Sequence, residues 1–170
     1  TRFPGKPLVL LGDKPIIQWV YENAKKALAE VYVATDDERI YQTVEEFGGK
    51  AVYTSPNHQS GTDRCAEAAQ KIAEKLKFDV VINIQGDEPF IRPEQIEAAL
   101  APLLSSSDVG IATLAKKMEH REDIFNPNVV KVVFNERGQA LYFSRSPIPY
   151  LRGIPEAEWP GNVDFYKHIG

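Results

Sequence analysis

The chain has 170 residues, 43% of them apolar, with a formal net charge of -4 and one cysteine. This length and composition fit one domain with a sizeable core, and the acidic balance argues against a general phosphate-backbone binder, which needs a basic face. A lone Cys65 allows neither an internal disulfide nor a cysteine-based zinc site, which suits a reducing cytosol, and no apolar run has the length of a membrane span or the pattern of a signal peptide.

Thr1 to Pro7, TRFPGKP, reads as a loop whose cations Arg2 and Lys6 either lie over an anionic ligand or simply border a connection. Pro15 to Leu28 has helical spacing, with Ile16, Trp19, Val20, Ala24 and Ala27 near one stripe and start signals at Asp13 and Pro15. Val31 to Thr35 is a short strand, and Asp36-Asp37 caps a helix from Glu38 to Phe47, which Gly48-Gly49 ends. Ala51 to Tyr53 is another strand. Ser60 and Asp63 have capping-box spacing ahead of a helix over Cys65 to Leu76, whose apolar face is Ala66, Ala69, Ile72, Ala73 and Leu76. Arg64 is a misfit there, because a cation in the first turn opposes the helix dipole. It belongs beside a bound anion or polar base, or else it is an exposed arginine paired with a nearby acid.

Val80 to Pro89, VVINIQGDEP, is the stretch around which the chain is organised. An apolar run bounded by turn residues reads as a buried strand, and its end puts Asp87 and Glu88 at the carboxyl edge of a sheet, where ligands bind in open α/β folds. Two readings fit: a site for a hard divalent cation such as Mg2+, or a solvated turn. Pro93 to Leu104 follows as a helix and Val109 to Lys116 as a strand. Met118 to Ile124 is a short helix or turn. Val129 to Phe134 and Ala140 to Phe143 form an antiparallel hairpin, in which Lys131 takes a solvent-facing place or borders an anion pocket. Arg145 leaves the hairpin near the sheet end. Tyr150 to Gly161 is irregular, and Val163 to Gly170 resumes strand alternation, with His168 expected to be packed and hydrogen-bonded. Strands alternating with helices indicate a mainly parallel sheet with antiparallel character late in the chain.

Lys6, Arg64 and Arg145, all at loop positions, together with the acidic strand end, point to a cleft for a polyphosphate, a divalent metal and an anionic second substrate. No Walker pattern and no G-x-S-x-G elbow occurs, so a P-loop enzyme and an α/β-hydrolase are both disfavoured.

RFPGKPL, HQSGTDR, NIQGDEP, NPNVVKVV, LYFSR and KHIG occur in this order over nearly the whole chain. Together they resemble the 3-deoxy-manno-octulosonate (KDO) cytidylyltransferases, also called CMP-KDO synthetases. PGKPL alone is common among sugar nucleotidyltransferases, whereas HQSGTDR, QGDEP and LYFSR in this order are specific. The resemblance implies a Rossmann-like nucleotidyltransferase fold with a mixed, mainly parallel sheet flanked by helices. It implies a cytoplasmic homodimer that uses Mg2+ to convert CTP and KDO into CMP-KDO and pyrophosphate for lipopolysaccharide synthesis. By the same resemblance, Lys6 contacts the triphosphate, and Ser60, Gly61, Arg64 and Gln85 form the cytidine pocket. Asp87 is a metal ligand, and Arg145 and His168 face KDO. Lys6, Asp87 and Arg145 are thus its expected catalytic set.

Two family segments do not occur in the sequence: an early strand ending in a Pro-Ala-Arg-type motif, and a later Asp-Thr-Pro-type motif carrying a second metal ligand. The expectation is therefore a single nucleotidyltransferase domain over residues 1–170 of a longer enzyme. Alternatives are activation of another acidic sugar, such as a sialic acid or amino-KDO, a non-catalytic nucleotide-binding module, and a structural subunit.

Overall fold

Helical spacing over residues 16–27 becomes the first long helix of the computed structural model, which describes residues 5–169. Arg2, expected in the opening loop, and Gly170, which ends KHIG, lie outside the described residues. The chain divides into two compact units, Thr1–Asp108 and Val109–Gly170.

In the first unit a 3-10 turn, Lys6–Leu8, leads to a two-residue antiparallel pair, β1 (Leu10–Leu11) and β2 (Lys14–Pro15). Pro15 caps α1 (Ile16–Ala27), whose Ile17, Val20 and Ala24 recur at helical spacing and are buried. β3 (Val33–Thr35) precedes α2 (Glu38–Glu46), where the Asp37 carboxylate accepts from the Arg39 amide at 2.9 Å as a side-chain cap. Gly48, at φ 78°, takes the left-handed turn that ends this helix. β4 (Ala51–Tyr53) runs parallel to β3, with Val33 opposite Ala51. α3 (Gly61–Ala73) and α4 (Pro93–Ser105) complete the unit, and α4 packs on α1. The inward face of α3 carries Arg64, Cys65, Ala68, Ala69 and Ile72, whereas Ala66 and Ala73, expected inside, are exposed, and Leu76 lies beyond the helix end. The helix begins at Gly61, four residues before the alanine-rich stretch, and ends at Ala73 rather than Leu76.

Every strand pair described in the second unit is antiparallel. β5 (Leu114–Lys117) is followed by a short helix, α5 (Arg121–Phe125), then by the hairpin β6 (Lys131–Phe134) and β7 (Ala140–Ser144), and by β8 (Tyr166–Ile169). The strand order is β5-β8-β6-β7. Its core gathers Met118, Ile124, Trp159 and Phe165, against which Phe125, Val129, Leu151 and Ile154 pack. Trp159 comes from the irregular Tyr150 to Gly161 stretch, so that excursion supplies the largest buried side chain of the unit.

Three expectations are corrected. Val80 to Ile84 is not a strand: among the described residues its backbone makes no backbone hydrogen bond, and Val81 is 53% exposed. The period-2 pattern survives, with Val81, Asn83 and Gln85 exposed and Val80, Ile82 and Ile84 half-buried. A strand also needs a neighbouring edge at ladder distance, which side-chain alternation cannot supply. For the same reason the sheet is not mainly parallel, since β3–β4 is the only parallel strand pair among the described residues. Lys131 does not face solvent. It is 0% exposed, with its ammonium turned onto main-chain carbonyls of Asn126, Val129 and Arg145. No helix among the described residues is long and apolar enough to cross a membrane.

Candidate active site

The HQSGTDR segment builds one side of a cleft in the first unit. Ser60 is the N-cap of α3: its hydroxyl accepts from the Asp63 amide at 3.1 Å and donates to the Asp63 carboxylate at 2.7 Å. Gly61 is the first helical residue, and a β-carbon built on it would stand 3.9 Å from the carboxamide nitrogens of both Asn83 and Gln85. The first turn of α3 therefore faces the segment that leads into QGDEP. Arg64 carries the predicted conflict with the helix dipole, and the fold answers it with an acid: its guanidinium is 2.9 Å from Asp36 and donates to the buried Thr54 hydroxyl at 2.8 Å. The pairing matches one sequence reading, but the side chain is only 20% exposed. Asp36, expected to share in capping α2, is Arg64's partner instead, while Asp37 alone caps. Gly61, Arg64 and Gln85 border a cleft of about 680 Å³ whose walls include Ile17, Val20, Val33, Ala68, Ile72, Ile82 and Ile84. The adjacent Cys65 thiol is pushed up by burial, a shift that Arg64 partly offsets, and it donates to the Asn83 side-chain Oδ1 at 3.3 Å.

Lys6 and Asp87, distant in sequence, meet as an ion pair at 2.6 Å. Both remain accessible, at 51% and 40% side-chain exposure, so their attraction is screened and adds little stability. Asp87 lies in the turn after Gln85, where the Glu88 amide donates to the Gln85 carbonyl at 3.2 Å. It lines a separate hollow with Leu11, Ile16, Glu88, Phe90 and Gln95. No group of three or more metal-ligating side chains is found among the described residues. An Asp87 carboxylate still suits Mg2+, which typically takes one or two protein carboxylates and completes its shell with water and substrate phosphates.

Glu67 was not singled out by the sequence, although Lys71 one turn later marks it as an ion-pair position. Its carboxylate takes Lys71 at 2.7 Å and the Ser55 amide at 2.9 Å, and it also pairs with the His58 ring. Lys71, the Ser55 amide and His58, in that order, hold its carboxyl down at about 2. This network ties the loop before Ser60 to the body of α3. Because the folded carboxyl titrates below its unfolded value near 4.5, its stabilisation is present above that pH and is lost as pH falls towards 2. We expect Glu67→Gln to flatten the fall in melting temperature between those limits, as followed by circular dichroism. A variant as acid-sensitive as the parent would contradict the assignment.

In the second unit, Arg145 follows β7 and donates to the Pro127 carbonyl at 2.9 Å. His168, in β8, pairs its Nε2 with the Thr113 hydroxyl at 2.8 Å and meets the Phe143 ring edge-on. It is packed and hydrogen-bonded as the sequence predicts. The structure thus brings Gly61, Arg64 and Gln85 to one cleft and joins Lys6 to Asp87, and it places Arg145 and His168 in the other unit. Thr54 and Thr113 carry no sequence signal, because short polar residues beside strands look like ordinary turn residues.

The cytidylyltransferase family profile matches residues 1–169. A 3-deoxy-manno-octulosonate cytidylyltransferase of Thermodesulfovibrio yellowstonii is 54% identical over 176 aligned residues, covering 100% of this chain and 69% of the relative. The enzyme of the same name from Parabacteroides distasonis is 53% identical, with 100% and 68% covered. Among solved structures, a CMP:2-keto-3-deoxy-manno-octonic acid synthetase in complex with CTP superposes with a TM-score of 0.89 at 46% identity, covering 100% of this chain and 67% of that one.

Proposed function

The chain belongs to the 3-deoxy-manno-octulosonate cytidylyltransferases, and we propose that it transfers CMP from CTP to the anomeric hydroxyl of KDO, releasing pyrophosphate. The observation that carries this reading is the match of the entire chain, at 54% identity, to a relative of that name. The nucleotidyltransferase fold shared with the CTP-bound synthetase supports it. The product, an activated KDO, serves lipopolysaccharide synthesis.

The KDO hydroxyl oxygen forms a bond to the α-phosphorus while the bond to the β-phosphate oxygen breaks, and the hydroxyl proton leaves to solvent. Gln85 and Arg64, beside Gly61 and Ser60 at the head of α3, hold the cytosine through hydrogen bonds. Lys6 pairs with the triphosphate, leaving Asp87, whose carboxylate is then free to hold Mg2+. A Mg2+ held there by Asp87 would supply neutralisation of the phosphate charge. Arg145 binds the KDO carboxylate, where a guanidinium gives paired hydrogen bonds, and His168 flanks the sugar. The fold supports this division of labour by bringing Lys6 within 2.6 Å of Asp87 and by setting Gly61 against Gln85. We further propose a cytoplasmic homodimer that requires Mg2+.

Pyrophosphate release from CTP, measured with KDO, amino-KDO and a sialic acid in turn, tests the reading. Turnover is expected with KDO. Activity confined to a sialic acid would replace the sugar, and CTP binding without turnover on any of them would leave a nucleotide-binding module.

A further inference from the structure

Among the described residues, Lys131 is a wholly buried cation with no carboxylate partner. Its side chain is 0% exposed and forms none of the ion pairs among the described residues. Its ammonium instead donates to three backbone carbonyls, those of Asn126 at 2.9 Å, Val129 at 2.8 Å and Arg145 at 2.5 Å. An ammonium has three donors, so all of them are used, whereas a neutral amine would leave one carbonyl unmatched. Burying a charge is costly unless it is so satisfied, and a methionine would fill the same space without that cost. The three carbonyls are what distinguish lysine from an apolar side chain here.

Two of these carbonyls belong to the loop over residues 126–129, and the third is Arg145's own. Arg145 is also tied to that loop through its guanidinium, which donates to the Pro127 carbonyl at 2.9 Å. Lys131 therefore fixes both attachments of Arg145, its main chain directly and its side-chain acceptor through the loop. We propose that Lys131 is a positioning residue for Arg145, setting the guanidinium for the carboxylate of the sugar acid. The proposal rests on the reading of Arg145 given above. Burial, and then the nearby Arg145 charge, push the Lys131 ammonium towards easier deprotonation, and the three carbonyl dipoles oppose this.

The test compares Lys131→Met, Arg145→Ala and the double variant, with KM read separately for KDO and for CTP. Lys131→Met should raise KM for KDO about tenfold, the scale of one charge-assisted hydrogen bond, with KM for CTP unchanged. Adding it to Arg145→Ala should change KM for KDO no further, because the arginine it positions is gone. An unchanged KM for KDO in Lys131→Met, an equal effect on both substrates, or full additivity would overturn the proposal. A normal KM for KDO in Arg145→Ala would instead remove the role of Arg145, and this proposal with it. If Lys131→Met does not fold, Lys131→Gln, which keeps two donors, is read in the same way. Failure of both to fold overturns the proposal, since the lysine then serves the sheet alone.

Discussion

Asp87→Asn should lower turnover about a hundredfold or more while leaving the fold intact, the scale on which removal of one preorganised electrostatic group acts. The substitution is nearly isosteric, and the turn that carries it depends on the Glu88 amide and Gln85 carbonyl, which the change does not touch. Among the described residues the polar partner lost is Lys6, and that pair is half-exposed, so water solvates the freed ammonium at little cost. Stability and activity therefore separate at this position. Steady-state pyrophosphate release, with melting followed by circular dichroism, reads both. Near-normal turnover at saturating Mg2+ would remove Asp87 from the metal role. Low turnover with a collapsed melt would show that the turn, not the charge, had been damaged.

Trp159→Ala should destabilise the second unit by about 3–5 kcal/mol, the usual cost of emptying a large aromatic site. That is a large share of the stability of an ordinary domain. Trp159 is 1% exposed and stacks on Phe165 with ring centroids 5.8 Å apart and planes 2° from parallel. It also meets Phe125 at 5.3 Å and Tyr150 at 5.2 Å, and its indole donates to the Ile154 carbonyl at 3.0 Å. Near-ultraviolet circular dichroism and a denaturant titration should both show the loss. Trp159→Phe, which keeps a ring but not the donor, should be milder. An unchanged midpoint for the alanine variant would refute the placement of this ring at the centre of the unit's packing.

Local signals in the sequence carried the helices and the hairpin. Ser60 and Asp63 marked the cap of α3, and Ala51–Tyr53 was read to the residue. What failed depended on distant partners. VVINI has every side-chain property of a buried strand, yet pairing is a property of two edges, and one edge cannot be read from one segment. Neither sequence reading of Lys131, a solvent-facing place or the border of an anion pocket, anticipates its burial, because its partners are main-chain carbonyls, which every residue carries. Trp159 was lost in a proline-rich stretch for a related reason: an irregular backbone says nothing about where its side chains go. The site was legible as motifs, whereas the pairing of Arg64 with Asp36 required the fold.

The two tryptophans are divided between the two units, with Trp19 in the first and Trp159 in the second. Trp19 sits in α1, half-buried, with the Lys14 ammonium 4.9 Å from its ring centroid and its indole donating to the Leu11 carbonyl at 2.9 Å. Trp159 is buried against the rings of Phe125 and Phe165. Each unit therefore has its own built-in fluorophore, one beside a cation near water and one in an apolar cage, whose emission should differ in colour. A Trp19→Phe or Trp159→Phe protein then reports on one half of the chain at a time, without any attached dye.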